Sequence, residues 1–429
     1  MDKAYIKSII AMRQNEFPVP LRERDNPLPV NSGTIVAVPG VWRCGKSSKM
    51  EIAVNHLLAN GVSKEQILWI SFDDERLHNL RTEELDEIIG SFREMFPDMD
   101  MATVYMFFDE IQLVQGWKDF IGRLYEHYTK NICISGSNAT MLIKSVLGGW
   151  PTEETFPLSF KEFCDFKGVN VQSWLEQDIA KIKNAFYEYN TFGGFPEVVM
   201  TENPSQKTKI LQGYFETMLL RDLGEHYGIS NLMVLRYFIK RILANLSKPI
   251  SVLGIYNDIK SRGLKISKGD LYRWADYTRN IYLLFPVVSY SKSLTKRESS
   301  QAKLYCIDNG LRDAILLPQS DDDGKKLENT VFLHLYSTRT PTDSIFYFKG
   351  KYECDFLVQR GIGIESLIQV CWDLSEKETR TREIKGLLEA SMATGCEKLL
   401  IITSDTAENI EVDGKSIQVL PAWRWLLTR

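Results

Sequence analysis

Two short stretches of the sequence have residue types and spacings that could hold and cleave a nucleoside triphosphate. The first, Gly40-Val41-Trp42-Arg43-Cys44-Gly45-Lys46-Ser47, fits G-x-x-x-x-G-K-[ST] in full. Its glycines let the backbone curl around phosphate oxygens, while the loop amides and the start of a following helix supply donors and a positive dipole end. With Ser48 at its end, this segment is the candidate ATP-binding set. Lys46 would reach the β and γ phosphates, and the Ser47 hydroxyl would ligate Mg2+. The second stretch, Val104-Tyr105-Met106-Phe107-Phe108-Asp109-Glu110, is an apolar run closed by two carboxylates. Asp109 would hold the metal, and Glu110 would orient or deprotonate the attacking water, with Lys46 as its catalytic partner at the phosphates. A third segment, Ser135-Gly136-Ser137-Asn138, follows another apolar run. Ser137 or Asn138 is placed to sense the γ phosphate, although an ordinary turn with a helix cap at Ser137 accounts for the residues equally well.

These groups converge only if the chain delivers them to one edge of one sheet. The apolar runs at 34–38, 67–72, 104–108 and 132–134 read as strands, separated by helical periodicity at 47–60 and 117–128. Strands alternating with helices predict an α/β fold with a mainly parallel sheet, and ligands bind at the carboxyl ends of such strands. A last strand is expected just before Pro157, and 160–166 reads as a helix leaving the sheet. Residues 175–227 are largely helical, broken at Gly193-Gly194-Phe195-Pro196. Helices at 232–246, 252–261 and 268–280, then paired strands at 281–288 and 304–307, describe a winged helix-turn-helix. Strands at 345–348, 355–358, 367–370 and 398–402, with helices near 328 and at 381–394, form a further α/β part. The expected partition is 1–170, a phosphate-loop domain; 171–230, a helical connector; 231–315, a winged helix; and 316–429, a small α/β domain.

Length and composition fit this picture. A chain of 429 residues exceeds a single core. Hydrophobic residues at 44% and charged residues at 25% are those of a globular protein and exclude a disordered chain. The first 17 residues lack the apolar core of a secretion signal, and no stretch has the length of a membrane-spanning helix, so a cytoplasmic location and no membrane partner are expected. Seven scattered cysteines, without a CxxC pair, predict buried thiols rather than disulfides or a zinc site. The net charge of -4 provides no global attraction to nucleic acid.

Taken in order, the motifs resemble those of bacterial and archaeal AAA-type P-loop ATPases fused to a C-terminal domain of unknown function with winged-helix and degenerate restriction-endonuclease-like parts. The marks are Arg43-Cys44-Gly45-Lys46-Ser47, Phe108-Asp109-Glu110-Ile111-Gln112, Gly136-Ser137-Asn138, Pro157-Leu158-Ser159-Phe160, Gly193-Gly194-Phe195-Pro196-Glu197, Arg221-Asp222, Tyr305-Cys306-Ile307-Asp308-Asn309-Gly310-Leu311, Leu327-Glu328-Asn329 and Asp355-Phe356-Leu357. Two departures stand out. Trp42 replaces the first of an arginine pair, and Gly148-Gly149-Trp150-Pro151 replaces a Gly-Arg pattern. The resemblance implies ATP and Mg2+ as ligands and hydrolysis to ADP and phosphate. The missing arginine implies slow turnover or one supplied by a partner, so monomer and ring both stay open.

For the C-terminal part the resemblance implies a metal site whose matching positions are Glu328, Asp355, Gln369 and Cys371. Cysteine stands where the lysine of Q-x-K is expected, which implies lost or weakened cleavage unless Lys349 or Lys351 substitutes. In the winged-helix segment Lys260, Arg262, Lys265, Lys268, Arg273 and Arg279, with Lys292, Lys296, Arg297 and Lys303 in the wing, make a basic stripe interrupted by Asp258, Asp270 and Asp276. It reads equally as a DNA contact or a solvated face, with Tyr272, Trp274 and Tyr277 as packing residues. Three readings follow: an ATPase whose nucleotide state controls its C-terminal half, acting on DNA or a protein partner; a slowly hydrolysing ATP-switched binding module; and an ATP-gated metal-dependent nuclease.

Overall fold

A computed structural model of the chain describes residues 3–77, 80, 82–138, 152–316 and 322–428. They divide into two compact units, 1–156 with 280–282, and 157–279 with 283–429. The Gly148 to Pro151 departure lies outside the described residues.

The first unit is built on four parallel strands: β1 (Val36–Pro39), β2 (Ile67–Ser71), β3 (Tyr105–Asp109) and β4 (Ile132–Gly136). Their spatial order is β1-β4-β3-β2. Alternate side chains enter two separate cores. Met106 and Phe108 join Leu68, Ile70 and Ile134 on one face, whereas Phe107 joins Val36, Val38, Trp69 and Cys133 on the other. Covering both faces with helices is what makes these strands near-continuous apolar runs. Helix α1 (Lys3–Glu16) buries Ile6, Ile9 and Ile10, and its Gln14 amide donates to the Ile67 carbonyl at 2.9 Å. Helices α2 (Lys46–Ala59), α3 (Leu85–Met95) and α4 (Trp117–His127) complete the layers. The strand expected before Pro157 is reduced to two bridges, Ala37 with Thr152 and Gly40 with Thr155.

In the second unit come helices α5 (Phe160–Lys167), α6 (Glu176–Phe192), α7 (Pro204–Thr217), α8 (Leu232–Ala244), α9 (Val252–Ser261) and α10 (Lys268–Asn280). Strands β5 (Leu284–Val287) and β6 (Lys303–Cys306) pair antiparallel, with Leu284 opposite Cys306. After α11 (Asn309–Ile315) and α12 (Asp323–Ser337) comes a six-stranded sheet of β7 (Asp343–Lys349), β8 (Glu353–Arg360), β9 (Gly363–Val370), β10 (Leu399–Thr403), β11 (Glu408–Val412) and β12 (Lys415–Pro421). Its order is β11-β12-β10-β9-β8-β7, parallel only from β12 through β10 to β9. Helix α13 (Lys377–Thr394) precedes β10.

Several motifs of this unit prove to be packing devices. Asp308 is buried; its carboxylate accepts from the Gly194 amide at 2.7 Å and the Leu311 amide at 2.9 Å. A side chain at Gly310 would place its Cβ 2.1 Å from the Phe192 carbonyl oxygen, so only glycine lets α11 approach the end of α6. Asn329 bonds both the amide and the carbonyl of Cys306, at 2.8 and 3.0 Å, and Asn309 links Asn190, Lys326 and Thr330. Burying so many amides is tolerable because each is hydrogen-bonded. Lys303 departs from its expected place in an exposed wing: it is fully buried in β6. Tyr272 is 55% exposed rather than packed, while Trp274 is buried and Tyr277 stacks on Tyr227 at 3.8 Å.

Candidate nucleotide site

The loop between β1 and α2 has the backbone its residue types suggest. Gly45 adopts φ +97° and Arg43 φ +67°, and the turn from Val41 to Cys44 is closed by a hydrogen bond of 3.3 Å. Gly40 lies so close to Thr155 that a Cβ would sit 2.2 Å from its carbonyl oxygen. Cys44 is buried, donating its thiol to that same carbonyl at 3.2 Å, and burial raises its pKa. Its role is to anchor the loop. Val41 is buried, whereas Arg43 is exposed and lies over the Trp42 ring at 4.9 Å.

Lys46, Ser47, Asp109 and Glu110 form one hydrogen-bonded group. The Lys46 ammonium lies 3.0 Å from a Glu110 carboxylate oxygen, with both side chains buried. The Ser47 hydroxyl donates to Asp109 at 2.5 Å. This convergence follows from sheet order: β3 ends beside β4, and β4 beside β1, so the acidic pair meets the start of α2. Glu110 has φ +50°, an uncommon conformation for a residue with a Cβ, which turns the chain sharply after Asp109.

The charges interact strongly. Burial, reinforced by the neighbouring Glu110, raises the Asp109 pKa to about 6, against the lowering influence of Ser135, Ser47 and Lys46. Burial works against the Lys46 ammonium, but Glu110, Cys44 and Asp109 outweigh it and hold the pKa above its usual value. A polar cavity of about 320 Å³ opens beside the cluster, lined by Ser47, Asp109, Glu51, Ser71, Asp74 and Arg76. The hydroxyl and carboxylate that border it are oxygen ligands suited to a hard divalent cation such as Mg2+.

Four contributors escaped the sequence reading. Ser135 of β4 donates its hydroxyl to Asp109 and accepts from the Glu110 amide at 3.1 Å. Gln112 donates to Glu110 at 2.5 Å and to Ser137 at 3.4 Å, which ties Ser137 to the acidic turn. Arg24 donates to the Cys44 and Phe156 carbonyls at 3.1 Å each and so braces the loop. Arg76 lines the cavity while held by Asp74. Ser135 had a signal, two residues before the expected sensor Ser137 at the end of an apolar strand; Arg24 and Arg76 had none, since their arrival depends on distant chain packing. Asn138 is buried at the same edge.

Among the described residues no helix is long and apolar enough to cross a membrane. Comparison with known proteins agrees with the geometry of this unit. Residues 32–164 match a family described as an AAA domain, and residues 183–322 match a domain of unknown function, DUF8612. Uncharacterized protein MJ1544 of Methanocaldococcus jannaschii is 33% identical over 421 residues, covering 94% of this chain and 91% of that protein. An uncharacterized protein of Haemophilus influenzae is 29% identical over 398 residues, covering 92% of this chain and 94% of the other. Among solved structures, AMPPCP-bound DnaA from Aquifex aeolicus is similar over 63% of this chain and 86% of that chain at 14% identity, with a TM-score of 0.27. The near full-length relative places the chain in the family of MJ1544, and the parallel sheet with the phosphate loop at its edge agrees with an AAA-type ATPase domain at residues 32–164 of this chain.

Proposed function

We propose that the first unit binds ATP with Mg2+ and hydrolyses it, and that the nucleotide state controls the C-terminal half. The observation that carries this reading is the joint placement of Lys46 with Glu110 and of Ser47 with Asp109 at one sheet edge. Loop amides from Gly40 to Ser48 would cradle the phosphates, Lys46 would turn to the β and γ phosphates, and Ser47 and Asp109 would hold the metal. The metal would neutralise charge on the phosphates. Glu110 would accept the proton of the attacking water once Lys46 leaves it. Gln112, whose amide oxygen is buried and has no hydrogen-bond partner among the described residues, offers an acceptor that could orient that water. Ser137 and Asn138 are the proposed sensors.

The experiment is a pair of variants in the full chain. Lys46→Ala should lose nucleotide binding, whereas Glu110→Gln should keep binding and lose phosphate release. Unchanged turnover in Glu110→Gln would refute the assigned water chemistry.

A second reading, a switch that hydrolyses slowly, draws support from the same lysine: Glu110 is engaged by both Lys46 and Gln112 and must be freed before it can act. In either reading the domain partition at 170, 230 and 315 and the winged-helix identity of α8 to β6 are proposals. Three helices followed by a two-stranded sheet support the latter. Lys265, Lys268, Arg273 and Arg279 are exposed and would meet DNA phosphates or an acidic protein partner. Salt-dependent DNA affinity that differs between ATP and ADP supports DNA; absence of binding at low salt points to a protein.

A further inference from the structure

The endonuclease-like resemblance implies Mg2+ among Glu328, Asp355 and Gln369, and the fold does bring these three together from α12, β8 and β9. An ammonium lies at the centre. Lys303, 1% exposed, reaches in from β6 and lies 3.2 Å from Glu328, 3.0 Å from Asp355 and 2.7 Å from Glu353. The Tyr305 hydroxyl donates to the same Glu328 oxygen at 2.7 Å. The second Asp355 oxygen accepts from the Val370 amide at 3.0 Å, so both of its oxygens are engaged.

The remaining implied ligands face elsewhere. Gln369 directs its amide nitrogen to Glu383 and its oxygen to the Asp355 amide. The Cys371 thiol donates to the Asp373 carbonyl at 3.0 Å. Lys349 and Lys351 are exposed, so neither takes the place of the missing lysine. Among the described residues no group of three or more histidine, cysteine or acidic side chains is arranged to hold a metal ion. Octahedral Mg2+ needs oxygens at roughly 2.0–2.1 Å around an open centre, and here a buried side chain fills that centre. The residues do not fit the metal.

We infer that Lys303 is the resident cation of this cluster, taking the position of the divalent metal and joining β6 to α12 and β8, so that the unit keeps a nuclease-like sheet without metal and without phosphodiester cleavage. Only the comparison with a metal rests on the nuclease-like reading; the lysine contacts stand without it. A buried ammonium held by three carboxylates is a permanent crosslink, where a bound metal would come and go with supply. The C-terminal sheet would therefore serve as a scaffold or binding surface under all metal conditions.

The test counts Mn2+ bound to nucleotide-free full-length protein, by the electron paramagnetic resonance of free Mn2+, in wild type, Asp355→Asn, Lys303→Ala and the Lys303→Ala/Asp355→Asn double variant. Wild type and Asp355→Asn should bind equally, because the cluster holds no metal. Lys303→Ala should gain one site, which the double variant loses. If Lys303→Ala folds only when Mn2+ is present, that rescue is the same result seen by circular dichroism; if it stays unfolded, the comparison of wild type with Asp355→Asn decides. A wild-type Mn2+ site abolished by Asp355→Asn would overturn the inference. So would a folded Lys303→Ala that gains nothing, or DNA cleavage by wild type with Mn2+ that Lys303→Ala abolishes. None of these readouts depends on ATP turnover, so a failure here is distinguishable from a failure of the ATPase reading.

Discussion

Each unit of this protein buries a lysine among carboxylates, and the two clusters reach opposite outcomes. Lys46 lies beside Glu110 at the end of a loop rich in amide donors, and its neighbours Ser47 and Asp109 border a cavity of about 320 Å³. Lys303 faces three carboxylates, one of which, Glu328, also accepts from the Tyr305 hydroxyl. A lysine paired with a single carboxylate can exchange partners when a phosphate arrives. A lysine that faces three has no reason to move, because its desolvation is offset only while all of them stay in place. The same residue types thus make an open site in one fold and a closed crosslink in another.

The largest expected effect sharpens this contrast through rates. Replacing Glu110 by Gln should slow phosphate release by about 10²–10⁴-fold, the usual range for loss of a general base, while Glu328→Gln leaves it unchanged. Equal losses would mean that the two clusters are not independent. The next effect is on stability. In denaturant titration Lys303→Met should cost about 3–5 kcal/mol, because buried carboxylates lose their counter-ion. Lys46→Met should cost less, about 1–2 kcal/mol, because water can enter beside Asp109. The reverse order would break the comparison.

A smaller change is expected from Ser135→Ala, which removes the hydroxyl that steadies Asp109. Mg2+-dependent nucleotide affinity should fall by about tenfold, the lower end for a residue supporting a metal ligand, with metal-free affinity little altered. The last prediction concerns pH. Asp109 titrates near 6 in the folded protein, above the unfolded value, because burial and Glu110 disfavour its charge. Between those two values the folded state holds a proton that the unfolded state lacks, so this group's contribution to stability falls as pH rises through the window and is flat above it. Metal binding has the opposite sign, since it needs the carboxylate. The Mg2+ enhancement of nucleotide affinity should weaken as pH falls through about 6, which calorimetric titration at two pH values would reveal.

Much of the candidate nucleotide site was legible because its chemistry is local. The phosphate loop needs two glycines, a lysine and a hydroxyl within eight residues, and the acidic pair closes an apolar run, so pattern and context suffice. Strand alternation was equally readable, since strands covered on both faces have no polar face to confuse the period. The residues that were missed act through space. Ser135 reaches Asp109 only because β4 lies between β1 and β3. Asp308 and Gly310 read as family marks without a function until Gly194 and Phe192 were found against them.

By itself the sequence determined the phosphate loop, the acidic strand end and the alternation that sets the α/β class, because each is written in neighbouring residues whose backbone needs are their own. Tertiary structure alone decided what Lys303 is. As one of several basic residues flanking a short strand it read as part of an exposed wing, and only the arrival of Glu328 from α12 and of Glu353 and Asp355 from β8 turned it into a buried cation. Charge is a property of the residue, but whether that charge faces solvent, ligand or carboxylate depends on contacts between segments far apart in the chain.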